Sequence, residues 1–388
     1  MLNTLSDKDF IFKKKNDNNW ILEHSEKYFI VSNEIKLLLE ILQRNNANST
    51  LAYQDFIKEF DYVSEADFNT IVSKNLKTLE LDEEKEQNKK KEKSFILFET
   101  TILSPKKAEK WSKIIQPLFQ PTFFWIGFSL LFTLAIYNIW TLHHFHLDTK
   151  YIMYLFIIYI ISAFIHEFGH IAACNRFTKK NGEIGVGIYF LFPVFYSNIT
   201  PIWAAKKEER IITNLAGVYV QLFIILFLYI VYLITDIHEI QDIIGASTVI
   251  ILYQLIPFIR TDGYWILSDL TDSPNLLSNS NKRVINFLKN PFKLKLNNKN
   301  EGLELLYGLF NQIFMIFIIV RILLAYKTNL LTGPINLIKT IFTHPSQTYS
   351  YINENIELLF ISIVFYLIVF NLIKRILPTK KNIQEAQH

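Results

Sequence analysis

Apolar positions along this chain come in two textures. Up to about residue 82 they recur at alternating or helical spacing within polar sequence; beyond residue 120 they run together. In the first region, Trp20–Ser32 (WILEHSEKYFIVS) has the pattern of a strand pair. Asn33 then opens a stretch of helical periodicity, NEIKLLLEIL. Ser49 or Thr50 is placed to cap a second helix reaching Phe60, and Ser64 starts a third with Asp67 at the capping-box position. Three short helices with a β-pair predict a winged-helix-like α+β domain over residues 1–82; a generic α+β domain is the alternative. Residues 83–93 (EEKEQNKKKEK) read as a solvated linker or frayed helix end, and residues 94–103 as a strand. From Pro105 to Phe119, Lys106, Lys107, Lys110 and Lys113 mix with Trp111, Ile114, Ile115 and Leu118. That mixture suits a helix lying on a membrane surface, with a plain connecting helix as the alternative.

The apolar runs after residue 120 reach the roughly 20 residues that cross a bilayer core. Six spans are expected, at Thr122–Trp140, Ile152–Cys174, Ile212–Thr235, Ile243–Phe258, Leu303–Leu324 and Ile356–Leu377. The fold class is therefore an α-helical polytopic membrane protein with a small N-terminal α+β winged-helix-like cytosolic domain. Residues 83–120 link the two, 121–378 form the transmembrane domain and 379–388 a tail. Between the second and third spans, residues 185–200 are strand-like but broken by Pro193, as in a hairpin dipping beside the membrane helices or a buried structural one.

Composition agrees. Half the 388 residues are hydrophobic and mean hydropathy is +0.19, and it is the clumping of the apolar residues into these runs that excludes a soluble globular enzyme. Cys174 is the single cysteine, which excludes a disulfide-stapled secreted domain. A net charge of +4 is too small and dispersed for nucleic acid. Residues 1–20 lack an apolar signal region, so the N-terminus is expected in the cytosol. The loops then predicted outside hold only Lys150, Lys327 and Lys339. The inner loop 259–302 holds Arg260, Lys282, Arg283, Lys289, Lys293, Lys295 and Lys299, so both termini are expected in the cytosol.

Chemistry enters in the second span, at His166-Glu167-Phe-Gly-His170. Residues four apart share a helix face, so two imidazoles can hold one Zn²⁺ while Glu167 reaches a water on it. In an apolar helix each ionisable group costs on the order of 2.5–3.5 kcal/mol on insertion scales, so three together must face the interior, paired or metal-bound. A structural polar cluster is the bland alternative. A third ligand is expected at comparable depth. Asp262, in Pro257-Phe-Ile-Arg-Thr-Asp262-Gly263-Tyr-Trp265, is the best candidate, or else it caps the helix Gly263–Leu270; Asp269 and Asp272 are further candidates. Gly263 allows close approach or a positive φ. The HHFH run of His143, His144 and His146 could bind metal, but reads better as an exposed turn.

HEFGH in an apolar helix with a later P-x₄-DG resembles the site-2 protease family of intramembrane zinc metalloproteases. Arg260-Thr-Asp-Gly-Tyr-Trp-Ile-Leu-Ser-Asp269 is similar to the form found in bacterial members associated with peptide natural products. The resemblance covers roughly residues 95–280. It implies Zn²⁺ held by His166, His170 and Asp262, with Glu167 as general base. The family's Asn-Pro before the DG reads Ile256-Pro257 here, and its A-G-P-x-x-N reads Ala216-Gly217-Val218-Tyr-Val-Gln221. Those departures bear on substrate positioning, for which Asn214, Gln221 and Gly263 are the candidates. The N-terminal domain resembles the winged-helix modules that bind a leader peptide as an added strand.

The function implied is hydrolysis of a peptide bond in a precursor or membrane-inserted peptide, in maturation of a ribosomally made peptide at the bacterial cytoplasmic membrane. Expected partners are that peptide and the lipid bilayer, with a peptide exporter as an optional third and no nucleic acid. The alternatives are regulated cleavage of a transmembrane signalling protein, or a non-catalytic peptide-binding scaffold or export accessory.

Overall fold

The computed structural model describes residues 10–14, 19–24, 27–45, 48–60, 63–79, 96–141, 152–180, 182–189, 192–291, 296, 298–327 and 329–376. It divides into two compact units, residues 1–272 and 273–388.

The first unit begins with an antiparallel meander, β1 (Ile11–Lys14), β2 (Asn19–His24) and β3 (Lys27–Ser32), in spatial order β1-β2-β3. The expected strand pair is β2–β3, with Trp20 opposite Val31 and Leu22 opposite Phe29; β1 adds a third strand not foreseen. Three helices follow: α1 (Asn33–Arg44), α2 (Ser49–Glu59) and α3 (Glu65–Thr78). Ser32 Oγ accepts the Ile35 N–H and caps α1. The cap of α2 is Asn48 rather than Ser49 or Thr50: its Oδ1 accepts the N–H groups of Thr50 and Leu51 at 3.1 and 3.3 Å. Ser64 Oγ accepts the Asp67 N–H at 3.2 Å, as the capping pattern predicts. Leu22, Val31, Leu38, Leu39, Leu42, Phe56 and Phe68 close one apolar core.

β4 (Ile96–Leu103) leads into α4 (Pro105–Ile115), whose Ala108 and Ser112 pack inward while Trp111 and Ile114 stay exposed. The long helices are α5 (Pro121–Thr141), α6 (Ile152–Thr178) and α7 (Lys207–Thr235). Between α6 and α7, β5 (Ile184–Tyr189) and β6 (Phe192–Ser197) form the expected hairpin, and β4 joins it to give the antiparallel order β4-β5-β6. Pro193 sits on β6 opposite Ile188, an edge strand, where a missing donor is tolerated. A 3₁₀ turn, Thr200–Ala204, carries the chain to α7. α8 (His238–Tyr253) ends five residues short of the expected fourth span, in turns that run to α9 (Asp262–Leu270). Its 16 residues rise only about 24 Å, less than a bilayer core.

The second unit is helical: α10 (Leu276–Lys289), α11 (Lys299–Tyr326), α12 (Asn329–Thr343) and α13 (Thr348–Ile376). α10 and α12 fall where loops were expected. Arg283 on α10 pairs with Glu301 and Glu304 on α11, and Tyr351 on α13 donates to the Gly333 carbonyl on α12. Among the described residues, four helices are long and apolar enough to cross a membrane: α5, α6 from Met153, α7 and α11. The sixth expected span lies mostly within α13, which departs from helical geometry at Asn355. His143, His144 and His146 lie outside the described residues.

Candidate metal centre

α6 and α7 pack closely because two glycines allow it. A Cβ on Gly169 would lie 2.6 Å from the Ala216 carbonyl oxygen. A Cβ on Gly217 would lie 2.4–2.6 Å from the His166 ring, so the bare backbone of α7 makes the room in which that imidazole sits. Sequence places His166 and His170 on one face of α6, and the structure turns that face onto α7, where both are buried.

Each imidazole is fixed through Nδ1. His170 Nδ1 lies 2.7 Å from the Thr213 carbonyl oxygen, which can only accept, so this nitrogen carries the proton. His166 Nδ1 lies 3.0 Å from Gln221 Oε1. Gln221 Nε2 donates to Ser162 Oγ at 2.9 Å and to the Ser162 carbonyl at 3.4 Å, an acceptor only, which sets the amide's orientation and presents Oε1 to the ring. In the neutral rings both Nε2 atoms are thereby left as lone-pair donors. They face each other at 2.9 Å.

Asp262 completes the group. It is the first residue of α9, and its carboxylate turns away from a capping role towards the histidines. Oδ2 is 3.2 Å from His166 Nε2 and Oδ1 is 3.5 Å from His170 Nε2. Three ligand atoms lie within 4.8 Å of one another. Oδ2 is buried and makes no hydrogen bond. Two unprotonated ring nitrogens and a carboxylate oxygen converging in a buried space repel one another unless a proton or a metal cation sits among them. Two imidazoles and one carboxylate are a donor set that could hold a divalent metal ion, and their chemistry suits Zn²⁺.

Glu167, next to His166 on α6, accepts a hydrogen bond from Ser197 Oγ at 2.6 Å. Ser197 is the last residue of β6, so the hairpin holds this carboxylate. The three substrate-positioning candidates are placed otherwise. Gln221 is committed to His166 and Ser162. Asn214 Nδ2 donates to Asp269 Oδ2 at 2.7 Å. Gly263 donates its N–H to the Gln254 carbonyl, and a Cβ there would lie 2.1 Å from the Leu255 carbonyl oxygen, so close approach and not a positive φ explains this glycine. Asp269 and Asp272, the other ligand candidates, pair with Arg210 and Lys207 instead.

Several groups around the site were not foreseen. The Thr213 carbonyl carries no side-chain signal. Ser162 lies four residues before His166, on the same face, and helical spacing alone could have found it. Gln254 has a buried Oε1 without a hydrogen-bond partner, next to the turn that carries Asp262. Ser197 shows only as the polar end of a strand.

No protein-family model matches the chain. Over 115 residues it is 30% identical to a Bacillus subtilis (strain 168) protein described as "Putative peptide zinc metalloprotease protein YydH". That stretch is 29% of this chain and 45% of that protein, so the chain spans less than half the length of the relative it matches. No solved structure matches.

Proposed function

We propose that this chain is a membrane-embedded zinc metalloprotease that hydrolyses a peptide bond in a precursor or membrane-inserted peptide. The observation that carries the reading is the convergence of two Nε2 lone pairs and the Asp262 carboxylate beside Glu167, between helices apolar enough to lie in a bilayer. The described name of the Bacillus subtilis relative supports the same class.

His166, His170 and Asp262 would hold Zn²⁺. Bound there, the ion supplies a Lewis acid that acidifies water to a pKa near 7 and polarises a carbonyl. Glu167 takes a proton from the attacking water on a carboxylate oxygen and delivers it to the leaving amine. Ser197, donating to that carboxylate, holds its direction and leaves its second oxygen for the proton. Gln221 and the Thr213 carbonyl keep the imidazoles in the tautomer that ligates. The β4-β5-β6 sheet supports the reading further: its β6 edge can pair with an extended substrate, and a protease must work on an unwound chain. The N-terminal sheet has β1 and β3 as its edge strands, and a leader peptide can add as a strand at such an edge and be tethered to the protein. Maturation of a ribosomally made peptide at the bacterial cytoplasmic membrane, with both termini cytosolic, fits this arrangement.

The test uses detergent-purified full-length protein and a lipid-reconstituted peptide library read by mass spectrometry. Wild type is expected to hold one zinc per chain and cleave. Asp262→Ala should lose the metal. Glu167→Gln should keep it and cleave at least about 100-fold more slowly. A zinc-loaded Glu167→Gln protein cleaving at the wild-type rate removes Glu167 from the chemistry. A wild type that takes up no zinc leaves the scaffold reading.

A further inference from the structure

Two charged side chains, Arg210 and Asp269, are buried against each other beside the metal site and have no part in the chemistry above. Arg210 Nε donates to Asp269 Oδ1 at 2.6 Å, and each side chain is under 10% exposed. Asn214 fills the other carboxylate oxygen. Around them, Arg210 Nη1 reaches the Ala205 carbonyl at 3.3 Å, and Lys207 Nζ donates to the Leu270 carbonyl and to Asp272. A buried ion pair is a poor way to gain stability, because desolvation offsets its attraction and apolar replacements often do as well. What a pair with two directed hydrogen bonds on one carboxylate does supply is a fixed position.

We propose that Arg210, Asn214 and Asp269 are positioning residues for the metal ligand Asp262; this rests on the zinc-site reading above. On α7, residues 210, 213, 214, 217 and 221 fall on one helical face. Each ligand is set by that face. Gln221 orients His166, Gly217 makes room for its ring, and the Thr213 carbonyl orients His170. Asp262 makes no hydrogen bond to α7 through its buried Oδ2. Its helix does instead: Asp269 lies seven residues on, about two turns or 10 Å along α9, and is the buried point at which α9 is clamped to α7, with Lys207 and Arg210 holding Leu270 and Asp272 beside it. At its other end α9 is attached through the Gly263 N–H to Gln254, beyond residues 254–261, which form turns and bends. Without the buried Asp269 clamp, that end of α9 is left to the exposed Lys207 contacts with Leu270 and Asp272, and the Asp262 carboxylate can shift away from the two imidazoles. α7 thus acts as one template for all three ligands.

The experiment measures zinc affinity of the full-length protein by competition with a fluorescent chelator, beside the melting midpoint of the metal-free protein. Asp269→Asn and the double variant Arg210→Met/Asp269→Leu should bind zinc about 10–100-fold more weakly. The double variant leaves no unpaired charge but strands the Asn214 amide, so it should fold and melt somewhat below wild type. Asn214→Leu, which removes one of the two bonds on the carboxylate, should give a smaller loss and serves if the double variant does not fold. In Co²⁺-loaded samples the visible bands should shift, because ligand geometry changes; a change in fold stability alone leaves them in place. Wild-type zinc affinity and an unshifted Co²⁺ spectrum in folded variants overturn the proposal. A wild type that binds no zinc overturns the metal reading itself, whereas a zinc-binding wild type with unaffected variants overturns only this proposal.

Discussion

Polar groups do different work in the N-terminal α/β region and in the α6–α7 helix pair. In the first, Asn48, Ser64, Asp55 and Lys58 sit at helix ends and on exposed faces, and water can replace any bond they lose. The core beneath is apolar, from Leu22 to Phe68. In the second, Ser162, His166, His170, Arg210, Asn214 and Gln221 are buried within long, largely apolar helices, against Asp269 of α9. Water cannot replace those bonds, and an unsatisfied donor there carries its full desolvation penalty. The same residue types are therefore interchangeable trim in one region and fixed parts of a site in the other. A polar substitution should be weak and local in the first, and strong and metal-coupled in the second.

The largest effect expected from that contrast is at Gln221. Replacing it with Leu removes the acceptor at His166 Nδ1 and strands the Ser162 hydroxyl. The His166 ring loses both its tautomer and its angle. Zinc affinity of Gln221→Leu should fall about 10–100-fold, the range for groups that orient a ligating histidine. Chelator competition reads it. Unchanged affinity would mean that packing against Gly217 alone orients the ring, and the contrast between the regions would narrow.

The sequence made the ligands legible because their spacing is local. His166, Glu167 and His170 lie within five residues on one helix, and Asp262 stands next to a glycine that cannot be replaced without displacing Leu255. The groups that fix those ligands were illegible because their partners lie 43 to 59 residues away, as in His170 with Thr213 or Arg210 with Asp269. Only packing brings them together. In the sequence Asp269 is a further ligand candidate that drifts toward the basic loop; the Arg210 that claims it sits at the polar start of an apolar run, where it looks like a flanking charge. The misjudged elements have similar causes. α10 is polar enough to pass for a loop, α12 holds Gly333 and Pro334 inside its helix, and β1 is four residues with two lysines. α8 stops at Tyr253 because the turns that return Asp262 to the histidines must begin there.

A smaller effect is expected at Asn48. Asn48→Ala removes the acceptor for the N–H groups of Thr50 and Leu51, a loss of about 1 kcal/mol for a helix cap. In the full-length protein, hydrogen exchange at the start of α2 should speed up about five-fold, with zinc content unchanged. A change in zinc content would show that the first region's polar trim is coupled to the metal site, against the contrast drawn here.

The smallest effect sharpens the comparison from the exposed side. Asp55 on α2 accepts from Lys58 at 2.8 Å and from Asn45, at the end of α1, at 2.9 Å. The Lys58 bond first, and the Asn45 amide after it, hold the carboxyl below its ordinary value. A lowered acid contributes stability that is present above the ordinary carboxylate range and is lost as pH falls through the lowered value. The α1–α2 contact should therefore hold at neutral pH and loosen only in acid, below the range where free carboxylates titrate. Carboxyl ¹³C NMR of Asp55 through an acid titration reads this directly, with Asn45→Ala as the control that should move the midpoint upward. A midpoint at the ordinary value in wild type would mean that the Asn45–Asp55 bond is not held in solution, and that polar contacts in this region are more dispensable still. Because the carboxyl is exposed, salt should weaken the Lys58 contribution and leave the Asn45 contribution largely in place.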